Sequence, residues 1–291
     1  MNPEKVLKNF TGKDKLLWFG LLVLVIITGV VWLTIYFETP EDTLRVSFLD
    51  VGQGDSIFIE TPNGNQILID GGANKKVLRQ LRKAMPFYDR FIDVVVATHP
   101  DLDHIGGLVS VIERFDTGLV IKSPVVSGES PEQALNEGTK NEIVVFGVRG
   151  SILELDKGVT LEILSPTMEM KNVETNTASI VAKLTYGETS FLLTADAPKS
   201  IEEFIIDMGD DIDVDVLKLG HHGSKTSSSL NFLGFTSPEF AVVSAGLDNS
   251  YGHPHQEVLD SLTSLNIPVF STALLGTITF ESDGREVVLV R

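Results

Sequence analysis

Residues 99–107 read HPDLDHIGG, and this segment holds four residues of the types that ligate metal ions: His99, Asp101, Asp103 and His104. The apolar run VVVAT (94–98) comes directly before it, and two glycines close it. The run predicts a buried strand, so the segment lies in a loop at the carboxyl end of that strand, where α/β architectures place their chemistry. Four potential ligand residues within six positions therefore predict a metal site.

The residue types exclude several other chemistries. The chain has no cysteine, which rules out zinc fingers, disulfide frameworks and cysteine nucleophiles. An EF-hand loop beginning at Asp101 also fails, because Ile105 and Ile112 occupy its fifth and twelfth positions, where calcium needs oxygen ligands. The metal must be held by His, Asp, Glu or the backbone, a donor set that suits Zn or Mn.

The chain is strongly acidic, with 23 basic and 40 acidic residues and a net charge of −17. Residues 1–15 hold four of the basic residues and two of the acidic ones, which leaves a net charge of −19 on the remainder. This charge disfavours a passive nucleic-acid coat, because non-specific binding depends on phosphate neutralisation by Lys and Arg. Metal ions and a local basic patch can still supply the positive charge that a phosphodiester needs.

Residues 16–37, LLWFGLLVLVIITGVVWLTIYF, are uncharged and mostly apolar, and about 20 such residues cross a bilayer. Lysines precede them and acidic residues follow, so the positive-inside rule predicts a cytoplasmic tail at 1–15 and an extracellular C-terminal domain. A cleaved signal peptide is the alternative, but its apolar region is shorter and needs a small-residue cleavage site, which IYFETPED lacks. We therefore predict a single-pass anchor in the cell membrane.

After a linker at 38–43, strand and helix patterns alternate to the end, which predicts one α/β domain over 44–291. Residues 74–85, NKKVLRQLRKAM, predict a helix with Asn74 as its N-cap. Residues 121–155 show no clear periodicity and predict irregular structure.

The predicted helix at 74–85 carries a basic cluster on this acidic domain. Its members are Lys75, Lys76, Arg79, Arg82 and Lys83. Positions 75, 79 and 82 share one helical face. A solvated face is the ordinary interpretation; the functional hypothesis is that the helix guides a phosphate backbone.

HPDLDHIGG resembles the His-x-His-x-Asp-His signature of the metallo-β-lactamase superfamily, with Asp101 in place of the second His. The chain is also similar to the soluble hydrolase domain of the ComEC competence family, through motifs in the same order: LDVGQGDS (49–56), LIDGG (68–72), NTAS (176–179), LLTAD (192–196), KLGHHGS (218–224) and YGHPH (251–255). Such proteins usually also carry a multi-helix channel domain, whereas this sequence predicts one membrane helix. Ala195 stands where the family usually has Gly.

The resemblance implies an αββα sandwich that holds two divalent metal ions, Zn or Mn. The implied metal ligands are His99, Asp101, Asp103, His104, Asp196 and His222. Asp196 would bridge the two ions. Asp103 and His221 are the implied catalytic residues: Asp103 would orient the attacking water, and His221 would touch the substrate or donate a proton. Which of His221 and His222 is the ligand stays open.

Four more residues are candidates for holding a ligand or contacting the substrate: Asp70, Asn176, Ser179 and His253. Each has an ordinary structural interpretation as well. Asp70 could simply form a turn at a strand end, and Asn176 and Ser179 could cap turns. His253 could lie in a surface loop. Asp50 and Asp55 flank a Gly-rich turn, and we expect them only to shape the floor of the loop.

These features favour a metal-dependent hydrolase of phosphoesters, and in particular a nuclease-like phosphodiesterase related to DNA uptake. A cell-envelope phosphoesterase acting on phosphocholine or teichoic acid is the alternative enzyme. A non-catalytic anchored partner of an uptake or envelope complex is the alternative from another class. β-Lactam hydrolysis is disfavoured, because those enzymes usually build the first metal site from three histidines. A serine hydrolase is not supported, since G-x-S-x-G is absent.

Overall fold

The computed structural model describes residues 12–38 and 43–290. The chain divides into two units, Met1–Glu41 and Asp42–Arg291. In the first unit, helix α1 (Gly12–Glu38) is long and apolar enough over residues 12–33 to cross a membrane, judged by length and composition. The predicted anchor at 16–37 falls within α1, whereas residues 1–11 of the predicted tail and 39–42 of the predicted linker lie outside the described residues.

Between residues 43 and 290, fifteen strands form two mixed sheets. The first sheet has the order β15-β14-β1-β2-β3-β4-β5-β6, with β3 to β6 parallel. Its strands are β1 (Leu44–Phe48), β2 (Ile57–Glu60), β3 (Gln66–Ile69), β4 (Phe91–Ala97), β5 (Asp116–Lys122), β6 (Val144–Phe146), β14 (Ile278–Ser282) and β15 (Val287–Leu289).

The second sheet has the order β13-β12-β11-β10-β9-β8-β7, with β10 to β13 parallel. Its strands are β7 (Ile152–Asp156), β8 (Val159–Ser165), β9 (Val181–Tyr186), β10 (Thr189–Leu193), β11 (Val216–Lys218), β12 (Phe240–Val243) and β13 (Val269–Ser271). The helices of this unit are α2 (Lys76–Ala84), α3 (Leu102–Ile112), α4 (Ser130–Gly138), α5 (Lys199–Asp207), α6 (Leu230–Thr236), α7 (Gln256–Ser264) and α8 (Thr272–Leu275).

Apolar side chains are buried in three layers. Phe48, Phe191 and Phe280 belong to the layer between the two sheets. A second layer joins the first sheet to α2, α3 and α4, and a third joins the other sheet to α5, α6 and α7. Strands covered on both faces read as near-continuous apolar runs, which explains sequences such as QILI in β3. The architecture is the predicted αββα sandwich, so the fold class is confirmed.

Two local predictions need correction. α2 begins at Lys76 with Lys75 as its N-cap, and Asn74 lies one position earlier, where its Oδ1 accepts a hydrogen bond from the N–H of Lys76 at 3.0 Å. The segment 121–155, expected to be irregular, contains the end of β5, helix α4 and strands β6 and β7. α4 buries only Leu135, and the three residues of β6 are all exposed, so neither has an apolar periodicity that the sequence could reveal.

Candidate metal centre

The predicted ligands lie at the carboxyl ends of strands along one edge of the sandwich. β4 leads directly to His99, and α3 begins with Asp101 as its N-cap, so Asp103 and His104 occupy the first helical turn. From the other sheet, β10 leads to Asp196 and β11 leads to the histidine pair 221–222. Parallel strands in each sheet end at this edge, which brings side chains distant in sequence to one place.

The glycines of HPDLDHIGG allow α3 to lie directly against the loop after β3. A Cβ on Gly107 would lie only 2.0 Å from the carbonyl oxygen of Gly71. Instead, the N–H of Gly107 donates a hydrogen bond to the carbonyl of Gly72 at 2.8 Å. This close backbone approach brings the first turn of α3 alongside Asp70, and it explains why two glycines follow the ligand types.

On the opposite side of the centre, the backbone is strained. Ala195, His221 and His222 have positive φ angles of 46°, 47° and 56°, a left-handed conformation that is uncommon outside glycine. The N–H of His221 donates to the carbonyl of Ala195 at 3.0 Å, which ties the two turns together. Strain of this kind persists where the surroundings determine the conformation and concentrates at functional sites.

Side-chain atoms of the six predicted metal ligands converge. Asp196 reaches two histidines, with Oδ1 3.3 Å from Nε2 of His104 and Oδ2 3.4 Å from Nε2 of His222. Oδ2 of Asp103 lies 3.3 Å from Nε2 of His222. His99 stands beside His104 with ring centroids 4.0 Å apart, and its Nε2 lies 3.8 Å from the carboxylate of Asp101. Asp196 is therefore central to the group.

The three buried histidines all use Nδ1 for an outer hydrogen bond. Nδ1 of His104 donates to Asp70 at 2.7 Å, and Nδ1 of His222 donates to the carbonyl of Ser244 at 2.8 Å. Thr98 donates its hydroxyl hydrogen to Asp70 at 2.6 Å, so its oxygen accepts from Nδ1 of His99 at 3.0 Å. These bonds at Nδ1 orient each ring with its Nε2 toward the centre, the usual arrangement of metal-binding histidines.

The free atoms test whether these residues fit a metal. Nε2 of His99, His104 and His222 and Oδ1 of Asp196 are buried and make no hydrogen bond with any described residue. Burying a polar atom without a partner is costly, and buried polar atoms in folded proteins are almost always satisfied. The Nε2 atoms of His104 and His222 face the carboxylate of Asp196, and this donor set suits a divalent cation, so the residues fit a divalent metal of the kind that the resemblance implies.

Asp70, expected to hold a ligand histidine or to end a strand in a turn, contacts Nδ1 of the candidate ligand His104 at 2.7 Å. Asn176 and Ser179 lie on the segment beside Asp101, because Thr175 hydrogen-bonds the carboxylate of Asp101. The Asn176 Oδ1 and Ser179 Oγ atoms are buried without a partner among the described residues. Thr175 was not singled out from the sequence, because a lone threonine carries no signal of ligand contact.

The remaining two predicted residues lie at the open side. His221 is partly exposed, with Nε2 3.6 Å from Oδ2 of Asp196 and Nδ1 3.2 Å from the hydroxyl of Thr226. His253 lies next to it at a centroid distance of 5.5 Å and stacks on the ring of Tyr251. His222 is buried, whereas His221 is not, which favours His222 over His221 as the ligand.

Asp55 was expected only to shape the loop, and the structure corrects this. It is buried with His104, Asp196 and His222 in a group whose potential ligand atoms lie within 4.8 Å of one another. Its carboxylate, however, forms an ion pair with the ammonium of Lys218 and lies on the Nδ1 side of His222, at 3.3 Å. Asp55 therefore contacts His222 from its Nδ1 side, away from the Nε2 atom that faces the candidate metal centre.

The sequence analysis also did not identify Lys218 as a residue of this centre. Its side chain is fully buried, its Nζ donates to the carbonyl of Ala195 at 2.7 Å, and it lies 3.8 Å from Asp196. Lysine is almost never fully buried unless it is paired. A lysine within the apolar strand VDVLKLG was the available signal, and it points to a buried carboxylate partner.

The centre has a strong negative field. Burial by itself disfavours charge on His104 and His222, yet carboxylates reverse this: Asp196 and Asp70 raise the pKa of His104 well above its usual range, and Asp196 with Asp103 raises the pKa of His222 to about 9. At His253, burial together with the neighbouring His222 outweighs the carboxylates and lowers the pKa to about 4. The field that favours imidazolium also favours a divalent cation.

An αββα sandwich with His and Asp ligands at one edge of its strands defines a class of metal-dependent hydrolases. Residues 49–246 match the family model described as "Metallo-beta-lactamase superfamily". The chain belongs to this superfamily.

Among curated proteins, the chain is similar to "ComE operon protein 3" of Bacillus subtilis, with 32% identity over 262 residues, and to "Competence protein ComA" of Neisseria gonorrhoeae, with 33% over 246. Each match covers 83% of this chain and 33% of the relative, so the chain spans about a third of their length. These matches confirm the predicted resemblance to competence proteins. Among solved structures, zinc-bound PqqB from Methylobacterium extorquens has 12% identity and a TM-score of 0.49, covering 75% of this chain and 85% of its own.

Proposed function

We propose that this protein is a membrane-anchored, extracytoplasmic phosphodiesterase that uses two divalent metal ions and acts on nucleic acid. The observation that carries the proposal is the convergence of the buried Nε2 atoms of His104 and His222 on the carboxylate of Asp196, with the ring of His99 4.0 Å from that of His104. None of these three Nε2 atoms has a hydrogen-bond partner among the described residues. In this proposal His99 and Asp101 would hold one ion, Asp103, His104 and His222 would hold the other, and Asp196 would be shared.

When bound, two such ions supply an activated water and a clamp on the attacking and leaving oxygens of a phosphoryl group. The protein side chains that would take part in the reaction lie at the open side of the candidate metal centre. Asp103 keeps 30% of its side chain exposed, so its carboxylate can orient a water that enters the site. His221 is exposed by 29% and stands 3.6 Å from Asp196, which suits contact with a substrate that enters from the open side.

Two features support nucleic acid as the substrate. The relatives are named as competence proteins, which is a property of those proteins and which we extend to this chain by inference. A basic helix lies beside the centre, which offsets the net negative charge of the domain locally. The extracytoplasmic location is supported by the lysines before the apolar segment and the acidic residues after it.

The proposal is tested with the full chain in detergent, assayed on bis-p-nitrophenyl phosphate with added Mn²⁺ or Zn²⁺. We expect hydrolysis that a chelator abolishes, and a loss of about 100-fold or more in kcat for Asp103→Asn and Asp196→Asn. Asp207→Asn, which neutralises an exposed carboxylate at the end of α5, is the matched control.

Hydrolysis that survives chelation, or an equal effect of all three substitutions, would contradict the proposal. The same preparation is then given single-stranded DNA and a phosphocholine ester. Preference for the second substrate would replace the nuclease with a cell-envelope phosphoesterase.

A further inference from the structure

A strongly basic surface follows α2. Its cations are Lys75, Lys76, Arg79, Arg82 and Lys83, and all five are exposed. The helix holds no acidic residue, and none of the five forms an ion pair with another residue of the described ranges. The rest of the domain is acidic, so five unneutralised cations on one short helix call for an anionic partner.

Two exposed aromatic rings continue this surface. Phe87 and Tyr88 follow the end of α2 and are 81% and 57% exposed, with their rings edge to face at a centroid distance of 5.3 Å. Neither is needed for the core, because α2 packs on the sheet through Val77 and Leu81. We call Lys75, Lys76, Arg79, Arg82, Lys83, Phe87 and Tyr88 together the α2 surface.

The α2 surface begins beside the metal centre and leads away from it. A Cβ on Gly106 of α3 would lie 2.5 Å from the carbonyl oxygen of Ala73, so the start of α2 lies against the first turns of the helix that carries Asp103. The aromatic pair precedes β4, whose opposite end reaches the site after about 23 Å of strand. Cations therefore lie nearest the centre and aromatic rings lie farthest from it.

We propose that the α2 surface binds the phosphate backbone and two bases of a single-stranded nucleic acid and leads the strand into the metal centre. This inference rests on the proposed function. The nine residues of α2 extend about 14 Å, the length of about four nucleotides in a stacked strand. Cations alone bind single and double strands alike, whereas exposed rings stack only on bases whose faces are free. The aromatic pair therefore selects a single strand.

The test measures the binding of a fluorescent oligonucleotide to the full chain in detergent, with a chelator present so that no cleavage occurs. We expect Phe87→Ala and Tyr88→Ala each to weaken binding by about 5- to 100-fold. Arg79→Glu with Arg82→Glu should reduce the slope of log affinity against log salt by about 1.4, since each single-strand phosphate contributes about 0.7. A duplex of the same sequence should lose little affinity in the aromatic variants.

The matched controls are the same kinds of substitution made at exposed positions outside the α2 surface. Phe235→Ala removes a ring that is 53% exposed on α6, and Lys157→Glu with Arg285→Glu reverses two exposed cations in turns between strands. We expect both controls to bind the oligonucleotide as the unaltered chain does. Equal effects in controls and α2 variants, or no effect in either, would overturn the proposal.

Two further arms separate the possible failures. Anionic phosphatidylglycerol vesicles replace the oligonucleotide in the first; if the α2 variants lose only vesicle binding, the surface belongs to the membrane and the proposal is wrong. The second arm measures bis-p-nitrophenyl phosphate hydrolysis, which needs no strand-binding surface. Normal hydrolysis with unaltered oligonucleotide binding would refute the α2 surface alone, whereas absent hydrolysis with impaired binding would refute the phosphodiesterase alone.

Discussion

At the scale of single residues, the ion pair between Lys218 and Asp55 connects the core to the candidate metal centre. Lys218 also holds the carbonyl of Ala195, the residue before Asp196. Two charges buried together are tolerated because each neutralises the other, and removing one leaves the other without compensation. The pair therefore positions the central carboxylate and contributes little net stability of its own.

We predict that Lys218→Met lowers the free energy of unfolding by about 3 to 5 kcal/mol, because the carboxylate of Asp55 stays buried without its cation. The double variant Asp55→Asn, Lys218→Met should be more stable than Lys218→Met, since it removes the uncompensated carboxylate of Asp55. Urea unfolding followed by circular dichroism measures both. A double variant less stable than Lys218→Met would show that the two side chains are not coupled as an ion pair.

The candidate metal ligands could be predicted from the sequence, but the buried residues that contact those ligands could not. His99, Asp101, Asp103 and His104 are adjacent in the chain, so their common purpose shows in one segment. Asp55 and Lys218 are 163 positions apart and meet only because β11 and the turn after β1 end at the same edge of the sandwich. A pairing that depends on the register of two sheets cannot be read from either segment alone.

At the scale of elements, the contact between α3 and the loop after β3 determines where Asp103 and His104 stand. It depends on the missing side chain at Gly107, since a Cβ there would overlap the carbonyl of Gly71. Gly234 in α6 is also helical, but a Cβ at that position would meet no atom within 4 Å.

We predict opposite effects for the same substitution at these two glycines. Gly107→Ala should destabilise the protein by about 1 to 3 kcal/mol and weaken metal binding, because α3 must shift away from the loop. Gly234→Ala should stabilise it by about 1 kcal/mol through helix propensity. Thermal unfolding and metal titration of both variants give the comparison. A stabilising effect of Gly107→Ala would contradict the close packing of α3 on the loop.

Elements with strong periodicity could be predicted, and weakly patterned ones could not. α2 buries Val77 and Leu81 on one face and carries cations on the other, so its position was clear to within two residues. The start was misplaced because Asn74 bonds the first helical N–H from one position before the cap. β6, an exposed three-residue edge strand, depends on pairing with β5 rather than on its own sequence.

At the scale of the whole molecule, the proposal places a catalytic domain outside the membrane on one apolar helix. The absence of cysteine makes this testable, because a single introduced thiol is then the only one. We predict that Lys157→Cys, in the exposed turn between β7 and β8, reacts in intact cells with a maleimide that cannot cross membranes. Lys5→Cys, before the apolar segment, should react only after lysis. The reverse pattern would contradict the proposed orientation.

The central claim is that six side chains from two sheets hold a pair of metal ions, and its most direct test is the number of ions bound per chain. Elemental analysis of the full chain, purified with excess Zn²⁺ or Mn²⁺ and then dialysed, should give about two ions. Asp196→Asn should give clearly fewer, because Asp196 contacts histidines on both sides of the centre. No bound metal in the unaltered chain, or the same number in Asp196→Asn, would contradict the account.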